Sequence, residues 1–160
     1  MNGWALAALI TIVAIIVVIR RLRGEPLNAR DLFGAPLVLT GLGIWALCEA
    51  DGLTGTDLVW VVAGSVLGIA LGALRGATVQ VFGKEGVLWQ RYTGRTFLIA
   101  LGSLLIMAGY GFLAARLGMH ANARPVQLSI GVGFLGEALA VGFRGLASGI
   151  PFAPERERRR

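Results

Sequence analysis

Five runs of apolar side chains, at residues 3–19, 33–50, 58–74, 96–115 and 126–143, limit what this chain can fold into. Each matches the roughly 17–25 residues that a helix needs to cross a hydrocarbon core. The chain has too little polar surface to hide these runs from water. Hydrophobic residues make up 56% of it and charged residues 15%, against about 45–50% and about 25% in soluble domains. Lipid is therefore the expected solvent. Pro36 stands near the start of the second run, where a proline is tolerated in a first helical turn.

The basic residues give an orientation. Every Lys and Arg except Arg116 and Arg124 falls before, between or after the runs on a single side. By the rule that cytoplasmic loops carry the positive charge, that side is cytoplasmic and the N-terminus lies outside. The leading "MNGW" has no basic residue and "RRLRG" follows the first run, the reverse of a cleaved signal, so the first run is expected to be retained. Basic residues beside membrane spans suit anionic lipid headgroups. Nucleic-acid binding would call for a soluble basic face with interleaved aromatics, and none is expected as a partner.

Gly64, Gly68, Gly72 and Gly76 recur every four residues on one helix face. In water each interior glycine costs about 1 kcal/mol relative to alanine. In lipid, where two apolar helices gain nothing by leaving solvent, a side-chain-free groove lets backbones approach closely. The row is expected to pack another span of the same chain or, as the sharper reading, a second copy or a membrane partner. Gly34 with Gly41, and Gly102 with Gly109, extend the small-residue pattern to other runs. After the row, "ATVQVF" and "VLWQRY" flank "GKEG", period-two patterning around a Gly-bounded four-residue loop, which predicts a hairpin over 77–92. Trp89 and Tyr92 within it suit the headgroup level. "ALGALRGA" and "LAVGFRGL" share an Arg-Gly pair, a faint internal similarity.

Glu137 is the polar residue with most to say. Counted from Val126 it lies about 17 Å along its helix, near the expected bilayer centre, where a carboxylate costs several kcal/mol unless paired or protonated. Ser103 and Tyr110 on the antiparallel fourth run are its candidate hydrogen-bond partners, either as interhelical glue or in an intramembrane functional group. At the opposite side Cys48, Glu49 and Asp57 face Arg116 and His120, an outer polar cluster able to pair across the mouth of the bundle. One cysteine and one histidine give no metal or haem ligand set, so no metal and no cofactor are expected. No phosphate loop, nucleophile elbow or paired catalytic carboxylates occur, and no catalytic residue is assigned.

The first loop "RRLRGEPLNARDLFGAPL" and the segment "LGALRGATVQVFGKEGVLWQRYTGRT" resemble actinobacterial members of the CcdC-like membrane-protein family. The resemblance is carried by Arg75, Gly76, Thr78, Val79, Val81 and Gly86, with a helix resuming near Thr96. It implies a small multi-pass membrane protein from a gene neighbourhood concerned with cytochrome c biogenesis. The Cys-X-X-Cys pair used by thiol chemistry is absent, so the resemblance does not extend to a redox role.

The expected fold is an all-α membrane protein, a bundle of about five transmembrane helices in one domain over 1–150. The short hairpin and a basic tail over 151–160 are expected on the cytoplasmic side. The expected function is that of a multi-pass protein of a bacterial plasma membrane, a non-catalytic accessory or structural protein that packs or self-associates through glycine-lined faces. Two alternatives stand beside it: a small transporter or proton-coupled conduit using Glu137, and a membrane enzyme acting on a lipid-like or isoprenoid substrate.

Overall fold

The computed structural model describes residues 3–155. Arg156, Arg158, Arg159 and Arg160 of the expected basic tail lie outside the described residues. Five α-helices, α1 (Gly3–Arg23), α2 (Ala29–Cys48), α3 (Gly55–Thr78), α4 (Gly94–Arg116) and α5 (Val126–Ala147), accompany three short strands, β1 (Glu25–Pro26), β2 (Gln80–Lys84) and β3 (Val87–Arg91). Four segments, Ala29–Cys48, Gly55–Thr78, Gly94–Arg116 and Ala121–Ala147, are long and apolar enough to cross a membrane. The first expected run is helical within α1.

Local chemistry sets the helix starts. Thr54 and Asp57 exchange hydrogen bonds in a capping box at the head of α3, and Thr93 and Thr96 do the same for α4. Both satisfy backbone N–H groups that a helix start leaves without partners. Asn28 caps α2, its Oδ1 accepting from the Arg30 N–H at 2.8 Å. The cap places the start of α2 at Ala29, so Pro36 is buried inside the helix instead of opening it. The cap outweighs the missing proline N–H because that position gives up only one backbone bond.

The bundle is organised around α5, which packs on α3 and on α2. Helices α3 and α5 run parallel. Gly68 lies against Val132, Gly72 against Gly133, and Gly76 against Glu137 and Ala140. All four glycines of the row are buried. A Cβ added at Gly68 would lie 2.8 Å from Val132 Cγ2, one at Gly76 would lie 2.7 Å from the Glu137 carbonyl oxygen, and one at Gly72 would overlap the Gly133 carbonyl. Gly64 instead meets the Tyr110 ring of α4. The groove is thus filled from within the chain. Helix α2 crosses the other side of α5 in the antiparallel sense, with Gly43 against Leu128, Thr40 against Gly131 and Phe33 against Gly142. By contrast Gly34, Gly41, Gly102 and Gly109 have open space where a side chain would stand.

The expected hairpin is present but is part of a larger unit. Strand order is β1-β3-β2, all antiparallel. Strand β1, in the loop after α1, carries too short an alternation to be read from sequence. Gly83 and Lys84 belong to β2, and Lys84 pairs with Val87, so the turn is Glu85-Gly86 alone instead of the four-residue loop expected. Both residues have positive φ, 55° and 78°, the turn geometry whose twist matches that of paired strands. The segment after α5 completes the unit: the Leu88 N–H donates to Pro151 O at 2.9 Å and the Ala153 N–H to Leu27 O at 2.9 Å. Residues 151–155 therefore lie along the sheet, with Glu155 3.1 Å from Arg30. Leu27, Val79, Leu88, Tyr92 and Val141 form one buried cluster that seals the sheet onto the ends of the helices.

Replacing Gly72 by alanine is expected to cost roughly 1–3 kcal/mol, because backbone on both sides must shift. Gly109→Ala, in open space, is expected to be neutral or stabilising. Thermal unfolding in detergent checks the pair; equal midpoints for the two variants would contradict the packing.

Candidate functional site

The register of the parallel pair decides where Glu137 sits. With Gly68 beside Val132 and Gly76 beside Ala140, Glu137 is level with the second-last turn of α3, about 8 Å from the end of that helix. Counting from Val126 placed it near the bilayer centre. Relative to α3 it sits toward the sheet end, because α5 is displaced along α3 and overshoots its end, so that Gly145 packs on Leu88 and Phe152 of the sheet unit.

Glu137 meets Arg75. The Arg75 Nε–H donates to Glu137 Oε2 at 2.5 Å, with the two side chains 13% and 5% exposed. Side chains on a helix lean toward its N-terminus, which carries Arg75 back from the last turn of α3 to the level of the carboxylate. The second carboxylate oxygen, Oε1, accepts from the Tyr92 hydroxyl. Tyr92 follows β3 directly and its N–H donates to Arg21 O at 2.9 Å. Its ring lies beneath the Arg21 guanidinium at 4.9 Å and edge-on to Phe97 at 5.5 Å. Tyr92 is therefore a buried member of this group and not a headgroup anchor, as expected from its type alone. The site joins α3, α5, the sheet and the end of α1.

A second arginine acts in the reverse direction. Arg144 of α5 donates through Nη1 to the carbonyls of Gly76, Ala77 and Val79 at 3.0, 3.1 and 2.7 Å, adding a donor to the carbonyls at the end of α3, where the regular helical bonds run out. Each helix thus sends an arginine to the other from an Arg-Gly pair.

The expected partners of Glu137 are engaged elsewhere. Ser103 Oγ donates to the Ile99 carbonyl of its own helix at 2.7 Å, and the Tyr110 hydroxyl donates to Trp60 O at 2.6 Å. Neither hydroxyl is hydrogen-bonded to the Glu137 carboxylate, and Tyr110 lies toward the opposite end of the bundle. Arg75 and Tyr92 were visible in the sequence as a topological charge and an interfacial aromatic. The missed signal was an arginine at the end of the glycine row, since the close approach that the row permits needs a charge partner for Glu137.

At the opposite end the outer polar cluster forms in part. Asp57 is buried and accepts from the His120 N–H at 2.8 Å and faces His120 Nδ1 at 2.9 Å, besides capping α3. Arg116 stacks on Phe112 at 4.9 Å, and Arg124 donates to Gly111 O. Cys48 and Glu49 are exposed at the end of α2. An Asp–His pair orients an imidazole in nucleophilic enzymes, but among the described residues no Ser or Cys is hydrogen-bonded to the His120 ring. Also among them, no three His, Cys, Asp or Glu residues converge to hold a metal ion.

Two clefts flank the ion pair. One of about 230 Å³ opens between α2, α5 and β1, reaching Glu137, Glu25 and Asp31. The other, about 200 Å³, lies between α3, α4 and α5 and reaches Arg75. Phe134 stands between them, its ring 5.1 Å from the Arg75 guanidinium carbon. Comparison with known protein families, curated proteins and solved structures finds no match in any of the three.

Glu137→Gln is expected to lose about 3–5 kcal/mol of stability, because Arg75 is left buried without a counter-charge. Tyr92→Phe is expected to lose about 1–3 kcal/mol through the unmet carboxylate oxygen. Ser103→Ala, whose hydroxyl is hydrogen-bonded only within its own helix, should stay within about 0.5 kcal/mol of the parent. Unfolding in detergent measures all three; an unchanged Glu137→Gln protein would contradict the site.

Proposed function

We infer that this chain is an integral protein of a bacterial plasma membrane with five spans, α1 being the first, its N-terminus outside and its sheet in the cytoplasm. Its role in this reading is accessory or structural and non-catalytic, in keeping with the resemblance to the CcdC-like family. The observation that carries it is the engagement of both Glu137 oxygens, one by Arg75 and one by Tyr92. A carrier of protons or cations must release its carboxylate from such partners during each cycle. A carboxylate bound by a guanidinium and a phenol, each fixed by a different element, is a clamp. Self-association, on this reading, uses the open Gly102 and Gly109 face of α4, since the Gly64–Gly76 row is filled by α5 and α4.

Two experiments test this. Reporter fusions after Arg23 and Lys84 should report cytoplasm, and those after Thr54 and Asn122 the outside; a cytoplasmic signal at Thr54 or Asn122 contradicts the orientation. Purified protein in liposomes should pass protons no faster than protein-free liposomes. Flux that disappears when Glu137 is replaced would contradict the accessory reading and favour a conduit.

A further inference from the structure

The slot between α3, α4 and α5 has features that the clamp does not use. Gly68 and Gly72 of α3, themselves packed against α5, lie at its base; Ala100 and Leu104 of α4 and Ile130 of α5 wall it. Helices α4 and α5 each pack on α3 and, among the described residues, not closely on each other, so the slot opens sideways toward the surrounding lipid. Leu104 is 68% exposed. One end is not apolar. Arg75 closes it, and only its Nε is hydrogen-bonded: among the described residues its two terminal nitrogens have no hydrogen-bond partner.

A guanidinium offers five N–H donors in a fixed fork. Donors left unmet next to hydrocarbon are costly, and the geometry of the two terminal nitrogens suits two oxygens of one phosphate. Glu137 offsets the Arg75 charge in part. Arg95, exposed in the first turn of α4, and the positive end of the α4 dipole add to the field at the same end of the bundle. The geometry points to a phospholipid as the occupant: one acyl chain lies in the slot, and its headgroup phosphate is held by the terminal nitrogens of Arg75. On the orientation proposed above this is a lipid of the inner leaflet, and the seat requires no chemistry at Glu137.

Native mass spectrometry of the full chain, released from nanodiscs, tests this with three probes. Phosphatidylglycerol has both chain and phosphate, diacylglycerol the chain alone, and glycerol phosphate the phosphate alone. One phosphatidylglycerol per chain should be retained, about tenfold in preference to diacylglycerol at equal mole fraction, as a bidentate charge-assisted contact implies. Glycerol phosphate should not displace it. Ala100→Phe, which fills the slot from the α4 wall, should abolish retention; Ser129→Leu fills it from the α5 wall if the first variant fails to fold. Replacing Arg75 and Glu137 together by methionine should erase the preference for phosphatidylglycerol while leaving chain binding. Equal retention of diacylglycerol, retention unaffected by filling the slot, or displacement by glycerol phosphate alone would each overturn the proposal.

Discussion

A guanidinium and a carboxylate withdrawn from water inside an apolar bundle must find each other, and that requirement governs the rest of this structure. Either charge alone would cost several kcal/mol in such surroundings. Together, at 2.5 Å, they hold α3 to α5. The distance is reached only because Gly72 and Gly76 leave no side chain between the two backbones. The glycine row and the ion pair are therefore one device: the row lets the helices meet, and the pair fixes where along their length they do so. Tyr92 extends the device to the sheet by using the oxygen that Arg75 leaves.

The consequence is a bundle with two unlike ends. At the sheet end, Arg75, Glu137, Tyr92 and Arg144 cross-link α3, α5 and β3, and the cluster of Leu27, Leu88 and Val141 closes over them. At the other end a smaller cluster of Ala114, Met119 and Ala123 is joined by the Asp57 cap reaching His120. Between the ends, α4 rests on α3 and leaves a lateral opening beside α5.

Much of this was legible in the residues. Apolar run lengths located the helices, and the alternation Thr78-Val79-Gln80-Val81 with the short Gly-bounded loop after it located the hairpin, because each follows from local sequence. Relations between distant segments were not legible. The pairing of Glu25 with Gln90 rests on a two-residue strand with no pattern of its own. The level of Glu137 along α3 depended on the stagger of α5 against α3, which no count within one helix supplies. Ser103 and Tyr110 were reasonable donors by type, yet each is satisfied by a backbone carbonyl nearby. Glu137 itself stood out, since a lone carboxylate in an apolar run demands a partner; the sequence did not say which one.

The account depends most on the coupling between Arg75 and Glu137. A double-mutant cycle, with each residue replaced by methionine singly and together and stability measured in detergent, reads that coupling directly. The structure predicts an interaction energy of at least about 2 kcal/mol, with the double variant more stable than either single one. Additive losses, agreeing within about 0.5 kcal/mol, would mean the two charges do not meet, and the arrangement of α3, α5 and the sheet described here would be wrong.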